Sequence, residues 1–275
     1  MRVYITVDIE GIAGVIDFSQ GDPTGGMDYA LGQKLMTLEA NAAIAGAFDA
    51  GATEVVVNDG HGKARNIMPE LLDRRARLIQ GRVKPLGICA GVDDSFDLAL
   101  AVGYHAPPSR ADGILNHAYH PFLLTWAGVE WDEVGLVAAV AGHFGVPLAL
   151  VTGDEATIER SRELLPPHVG VAVKKGLTRF AADSLHPEEA RDRVHAGAKE
   201  AVERRAEFNA LRFDSPIVVE ETLYYSQQAD MVMMIQGMER VDGRTIRYES
   251  PTALDAYRTF IATSVLAQHP NVAGR

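Results

Sequence analysis

The sequence predicts an α/β fold: a mainly parallel sheet flanked by helices, followed by a smaller C-terminal α+β portion. Three observations lead there. Short β-branched and aliphatic runs alternate with helix-period segments and Gly-containing turns, the pattern of βαβ units. The first run is apolar at consecutive rather than alternate positions, as strands covered on both faces are. Beyond residues 175–210 the pattern changes, with strand-like runs no longer separated by regular helices.

The elements follow in order. Val3-Tyr4-Ile5-Thr6-Val7 is a buried strand ending at Asp8. After a polar, glycine-containing loop, Leu31, Leu35, Leu38, Ala42 and Ala45 recur at spacings of three and four. They predict a helix over about Tyr29 to Ala50, closed near Gly51. Glu54 to Asn58 is a second strand, with Asp59-Gly60-His61-Gly62 directly after it. Leu78-Ile79-Gln80 and Leu98 to Val102 are two more, the latter leading into Gly103-Tyr104-His105. A helix over Glu133 to Phe144, a strand over Val146 to Thr152 and a helix through Leu165 complete this part. Helical patterning returns at Pro187 to Phe208. Strands are expected near Ile217 to Glu220 and Thr245 to Tyr248, and a last helix over Ala253 to Ala267. The domain boundary is placed at 190/191, giving a catalytic portion of 1–190 and a C-terminal portion of 191–275.

Composition narrows the function. With 37 acidic against 26 basic residues the net charge is −11, which argues against nucleic acid or an anionic membrane as partner. The single cysteine, Cys89, has no CxxC companion and reads as a small buried residue. No apolar run approaches the ~20 residues that span a bilayer, and Met1 to Asp8 lacks the layout of a signal peptide. The expected location is the cytoplasm.

The informative pattern is where polar residues fall. Asp8 and Glu10 follow the first strand, His61 the second and His105 a later one. Open α/β sheets bind ligands outside the carboxyl ends of their strands. Two residues apart on extended chain, Asp8 and Glu10 can point the same way. Mixed carboxylate and imidazole donors suit zinc. Singly, each has an ordinary explanation: Asp8 a turn former, His61 a turn residue between glycines, His105 a buried histidine, Glu133 a first-turn acid. Together, after three strands, they favour a metal. HExxH, GxSxG, GxxxxGK[ST] and GxGxxG are absent.

The run Val7-Asp8-Ile9-Glu10-Gly11-Ile12-Ala13-Gly14 closely resembles the opening of the D-aminopeptidase family of zinc metallopeptidases. The likeness continues, in order, through Glu39-Ala40-Asn41, Val57-Asn58-Asp59-Gly60-His61, Val83-Lys84-Pro85 and Gly103-Tyr104-His105-Ala106. It goes on through Asn116-His117, Glu133-Val134-Gly135-Leu136 and Val151-Thr152-Gly153-Asp154, and is weaker after about residue 210. The resemblance implies two zinc ions per subunit. Asp8 would bridge them, Glu10, His61, His105 and Glu133 would be the remaining ligands, and His117 the catalytic histidine. It implies removal of an N-terminal D-amino acid, typically D-alanine, from short peptides, by a ring-based homo-oligomer, a decamer. The loop Pro107 to Asp112 departs from the family pattern, which bears on substrate preference.

A carboxylate has two oxygens, so Asp8 suits a bridge on chemical grounds too. His117 fits proton transfer or oxyanion stabilisation better than nucleophilic attack. Lys174 or Lys175 is a candidate partner for a substrate carboxylate, with an ordinary surface role as the plain alternative, and His120 a weaker proton-transfer candidate. Two other readings compete: a dimetal hydrolase of another amide or of a phosphoester, and a non-catalytic metal-dependent oligomeric binding protein.

Overall fold

The computed structural model describes residues 1–269. Its larger sheet is built from β1 (Arg2–Val7), β2 (Glu54–Asp59), β3 (Arg77–Ile79), β4 (Leu98–Tyr104), β7 (Leu148–Asp154), β8 (Val169–Thr178) and β9 (Ala181–Ser184). The spatial order is β3-β2-β1-β4-β7-β8-β9. Every pairing is parallel except β8 with β9. The α/β expectation therefore holds. The apolar runs are continuous because β1, β4 and β7 are covered on both faces; β4 and β7 are buried throughout.

One face of this sheet carries α1 (Met27–Asp49) and α4 (Pro187–Glu203), over a core that includes Val3, Ile5, Met36, Ile44, Val194 and Val202. The stripe that predicts α1 is not its core face. Leu31 is exposed, whereas Met36, Ala40, Ala43, Ile44 and Ala47 are buried. The helix is apolar almost all round, so periodicity located it without orienting it.

The other face carries α2 (Glu133–His143) and a second, antiparallel sheet, with α3 (Glu155–Leu164) beside β7 and β8. The second sheet has the order β11-β12-β10-β5-β6. It comprises β5 (Leu123–Trp126), β6 (Val129–Glu130), β10 (Ile217–Thr222), β11 (Glu239–Arg240) and β12 (Thr245–Ser250), and packs with α5 (Ser226–Val232) and α6 (Ala253–Ala267). One core runs through both layers, joining Ala99 and Val151 to Trp126, Val137, Val219 and Phe260. The expected division at 190/191 falls inside α4, which packs on α1 and β8. The antiparallel layer takes β5 and β6 from the middle of the chain.

The strand order reverses at β1: the chain moves outward to β2 and β3, then returns to β4 on the other side. A crevice forms at the carboxyl ends of β1 and β4, where such sheets bind ligands. Among the described residues no helix is long and apolar enough to cross a membrane.

Candidate metal centre

The backbone at the end of β1 is pinned to β4. Asp8 donates its N–H to Val102 and Gly11 donates to Gly103, both at 2.8 Å. No side chain fits at Gly11, where a Cβ would stand 1.9 Å from the Tyr104 carbonyl oxygen. Gly103, at φ +73°, would drive one into the Asp8 carbonyl. The two strand ends thus approach closely enough for Asp8, Glu10 and His105 to share one volume. Their ligand atoms all lie within 4.8 Å of one another, and the same is true of His105, His117 and Glu133.

His61 arrives on the loop after β2. Asp59 closes that loop by accepting N–H groups from Asn66 (2.6 Å) and Ile67 (2.9 Å), and the Asn66 amide donates to the His61 carbonyl. The ring Nδ1 then lies 3.1 Å from Asp8 Oδ1 and 3.0 Å from Glu10 Oε2. Glu133 opens α2, whose N-terminus is capped by Asp132 accepting from Gly135. Its Oε1 stands 3.7 Å from His105 Nε2 and 3.9 Å from His117 Nε2, and accepts the Tyr119 N–H.

Asp8 divides its two oxygens. Oδ1 faces His61, while Oδ2 lies 3.7 Å from His105 Nε2. A separation of 3.7 Å is too long for a hydrogen bond. It is close to the ~3.4 Å between two atoms that ligate one ion tetrahedrally at ~2.1 Å.

Each histidine has its tautomer set by a backbone carbonyl, which can only accept. His61 Nε2 donates to Gly21 (3.0 Å), His105 Nδ1 to Ala106 (3.1 Å) and His117 Nδ1 to Leu115 (2.8 Å). The opposite nitrogen of each ring faces the carboxylates, the arrangement typical of metal-ligating imidazoles. His105 Nε2 and Glu10 Oε2 are buried, and among the described residues neither makes a hydrogen bond.

Electrostatics say the same. Burial, reinforced by the charge of Glu10, raises the Asp8 pKa, and burial with the charge of Asp8 raises that of Glu133 well above the carboxylate range. Burial and His117 push His105 down to about 3, so its ring is neutral. Burial opposes ionisation of both Glu10 and His61. Their mutual attraction wins, lowering Glu10 and raising His61 well above its usual value. Three buried carboxylates share one site with a single charge-bearing imidazole, that of His61, and are short of positive charge, and the donor set fits a divalent cation.

Leu115 and Tyr119 flank His117 and both are left-handed, at φ 50° and 51°. That geometry costs about 1–2 kcal/mol per non-glycine residue. It is held by Leu115 N–H donating to Arg179 and Tyr119 N–H donating to Glu133. The His117 ring stacks on His105, with centroids 4.1 Å apart. Asp154 caps α3 and accepts the Ile114 N–H, tying down the same loop.

The D-aminopeptidase family model matches residues 1–262. The chain belongs to the D-aminopeptidase family. A D-aminopeptidase of Bacillus subtilis (strain 168) is 36% identical over 273 residues, covering 97% of this chain and 98% of that protein. A solved structure, the Zn-dependent D-aminopeptidase DppA from Bacillus subtilis, described as a self-compartmentalizing protease, superposes with a TM-score of 0.94. It is 33% identical, with 98% of each chain covered. This D-aminopeptidase-family chain is thus a peptidase, and the resemblance that its motifs carry is confirmed.

All six residues singled out from the sequence, Asp8, Glu10, His61, His105, Glu133 and His117, converge on this crevice. The two lysines part ways, Lys174 being internal and Lys175 taking the ordinary surface role. Lys174 is buried and donates to the carbonyls of Glu10 (2.5 Å), Ile12 (3.0 Å) and Val15 (2.6 Å). Lys175 is paired with Glu155 at 2.8 Å. Lys174 is thereby committed to backbone carbonyls. His120 lies in the antiparallel layer, 3.3 Å from Glu221 and against Phe260. The sequence reading missed the organising roles of Asp59, Asp154 and Lys174, although Asp59 and Asp154 lie inside quoted motifs. It also missed Phe18, Arg179 and Phe180 at the mouth of the site.

Proposed function

We propose that this centre holds two zinc ions per subunit and removes an N-terminal D-amino acid, of the D-alanine type, from short peptides. The observation that carries the dinuclear reading is the division of Asp8: its two oxygens face two different histidines. Asp8 would serve the ions through both of its oxygens, and Glu10, His61, His105 and Glu133 would hold them through Oε2, Nδ1, Nε2 and Oε1. Three carboxylates offset three of the four cationic charges, leaving about +1.

Bound there, two zinc ions would polarise the scissile carbonyl and lower the pKa of a water to about 7. His117 handles the proton. Its Nδ1–H is committed to Leu115, so Nε2 can take a proton from the attacking water and pass it to the departing amine. Its side chain is 30% exposed, open to the crevice where substrate enters. Asp59, Asp154 and the Glu133–Tyr119 bond hold these groups in place.

The relative described as self-compartmentalizing supports assembly of this chain into a homo-oligomer; a ring-based decamer in the cytoplasm is the form proposed for it. The test is elemental analysis of the purified protein together with D- and L-aminoacyl substrates and a phosphodiester. About two zinc per chain is expected. D-Ala-D-Ala and D-Ala-p-nitroanilide turnover should be lost in chelator and regained with zinc. One ion per chain at saturation overturns the dinuclear centre, and equal turnover of L-substrates, or phosphodiester cleavage instead, overturns the activity.

A further inference from the structure

Arg179 is an exposed cation that pairs with no carboxylate among the described residues. Its Nε donates to Asn116 Oδ1 at 2.9 Å, and Nε and Nη2 also reach the Asn116 carbonyl at 3.3 and 3.2 Å. The guanidinium lies over Phe18 at 5.2 Å and Phe180 at 5.1 Å from the ring centroids. Among the described residues Nη1 makes no hydrogen bond, and no carboxylate pairs with the group. The neighbouring cations differ. Lys174 is spent on three carbonyls, Lys175 on Glu155 and Arg110 on Glu163.

Its place is equally specific. The Phe18 ring under Arg179 meets the edge of His117 at 5.9 Å, and the Arg179 carbonyl accepts the Leu115 N–H. Arg179 therefore stands one aromatic ring away from His117, on the exposed side of the centre. Asn116 and the two rings hold its plane, which removes much of the rotamer freedom that binding would otherwise cost.

We propose that Arg179 is a specificity-determining residue that binds the C-terminal carboxylate of a short peptide, so that the enzyme measures its substrate from both ends. The proposal rests on the aminopeptidase reading. An extended peptide advances about 3.3–3.6 Å per residue. The steps from His117 to Phe18 and on to Arg179, 5.9 and 5.2 Å, set a path that about three residues beyond the scissile bond span to within hydrogen-bonding reach of the guanidinium. A guanidinium with free in-plane N–H groups suits a carboxylate. Phe18 and Phe180 offer an apolar wall for the intervening side chain.

The experiment compares zinc-loaded full-length wild type and R179Q on D-Ala-D-Ala-D-Ala-D-Ala, which has three residues beyond the scissile bond, and on its C-terminal amide, with D-Ala-p-nitroanilide as reference. Wild type should favour the free acid over the amide by about 10- to 100-fold in kcat/KM, chiefly through KM. R179Q should bring that ratio close to one, with R179K between. The ratio is internal to each variant, so loss of folded protein does not mimic it. Wild type that cleaves acid and amide equally, or R179Q that keeps the wild-type ratio, overturns the role of Arg179 while leaving the aminopeptidase reading intact. Wild type inactive on all three overturns both.

Discussion

Replacing Lys174 by methionine tests how the Glu10 loop is held. The ammonium donates to the carbonyls of Glu10, Ile12 and Val15. Methionine has similar length and no donor. Ile12 O still accepts the Val15 N–H, so two carbonyls are stranded rather than three. A buried group without its partner costs about 1–3 kcal/mol, giving roughly 2–6 kcal/mol for the pair. Against this, removing a fully buried ammonium, whose pKa burial has pushed from 10.5 to about 8, relieves about 3 kcal/mol. The net effect runs from a gain of about 1 kcal/mol to a loss of about 3 kcal/mol, so Tm shifts between a rise of roughly 4 °C and a fall of roughly 12 °C. The local effect is larger in kind, because the loosened loop carries Glu10. Zinc affinity should fall about 10- to 100-fold, the usual penalty for losing a group that orients a ligand. Chelator competition measures that affinity, and calorimetry the Tm. K174M that binds zinc within two-fold of wild type would refute the reasoning, whatever its Tm.

Two further outcomes follow from the centre. His117→Ala should keep metal content near wild type by elemental analysis while kcat falls about 10²–10⁴-fold; loss of metal would make His117 a ligand beside His105 and Glu133. His61 has a folded pKa well above 6.5 without metal, so its contribution to stability is complete below pH 6.5 and fades as pH rises through the folded value. The chelated protein should therefore lose stability on alkalinisation. Zinc loading near pH 7 should also release at least one proton, seen by titration calorimetry in buffers of different ionisation enthalpy; no release would refute the His61 assignment.

Much of the α/β frame was legible because it is written in long apolar runs. The strands β1, β2, β4 and β7 needed only their continuous apolar runs and the helix α6 its own periodicity, and α6 occupies the expected residues. The centre was legible for the same reason: once the strand ends are known, Asp8, His61 and His105 must lie at one rim. The hairpin β5–β6 was not legible. Its two-residue turn, Ala127-Gly128, is left-handed at both positions, φ 50° and 78°, without the Asn-Gly or Asp-Gly that announces such turns. Strand β8 hid because Lys174-Lys175 interrupts it and looks like surface, whereas Lys174 points inward to carbonyls distant in sequence. Arg179 gave no signal at all, since its partners Phe18 and Asn116 are brought to it only by the fold.

The position of Glu133 has a mechanical consequence. It begins the helix that leaves β6, a strand of the antiparallel layer, whereas Asp8 and His105 hang from the parallel sheet. Any ion gripped by all three is a rivet through both layers. Loading the site would fasten the two halves of the molecule together, and peeling back the antiparallel layer would carry off one jaw of the clamp.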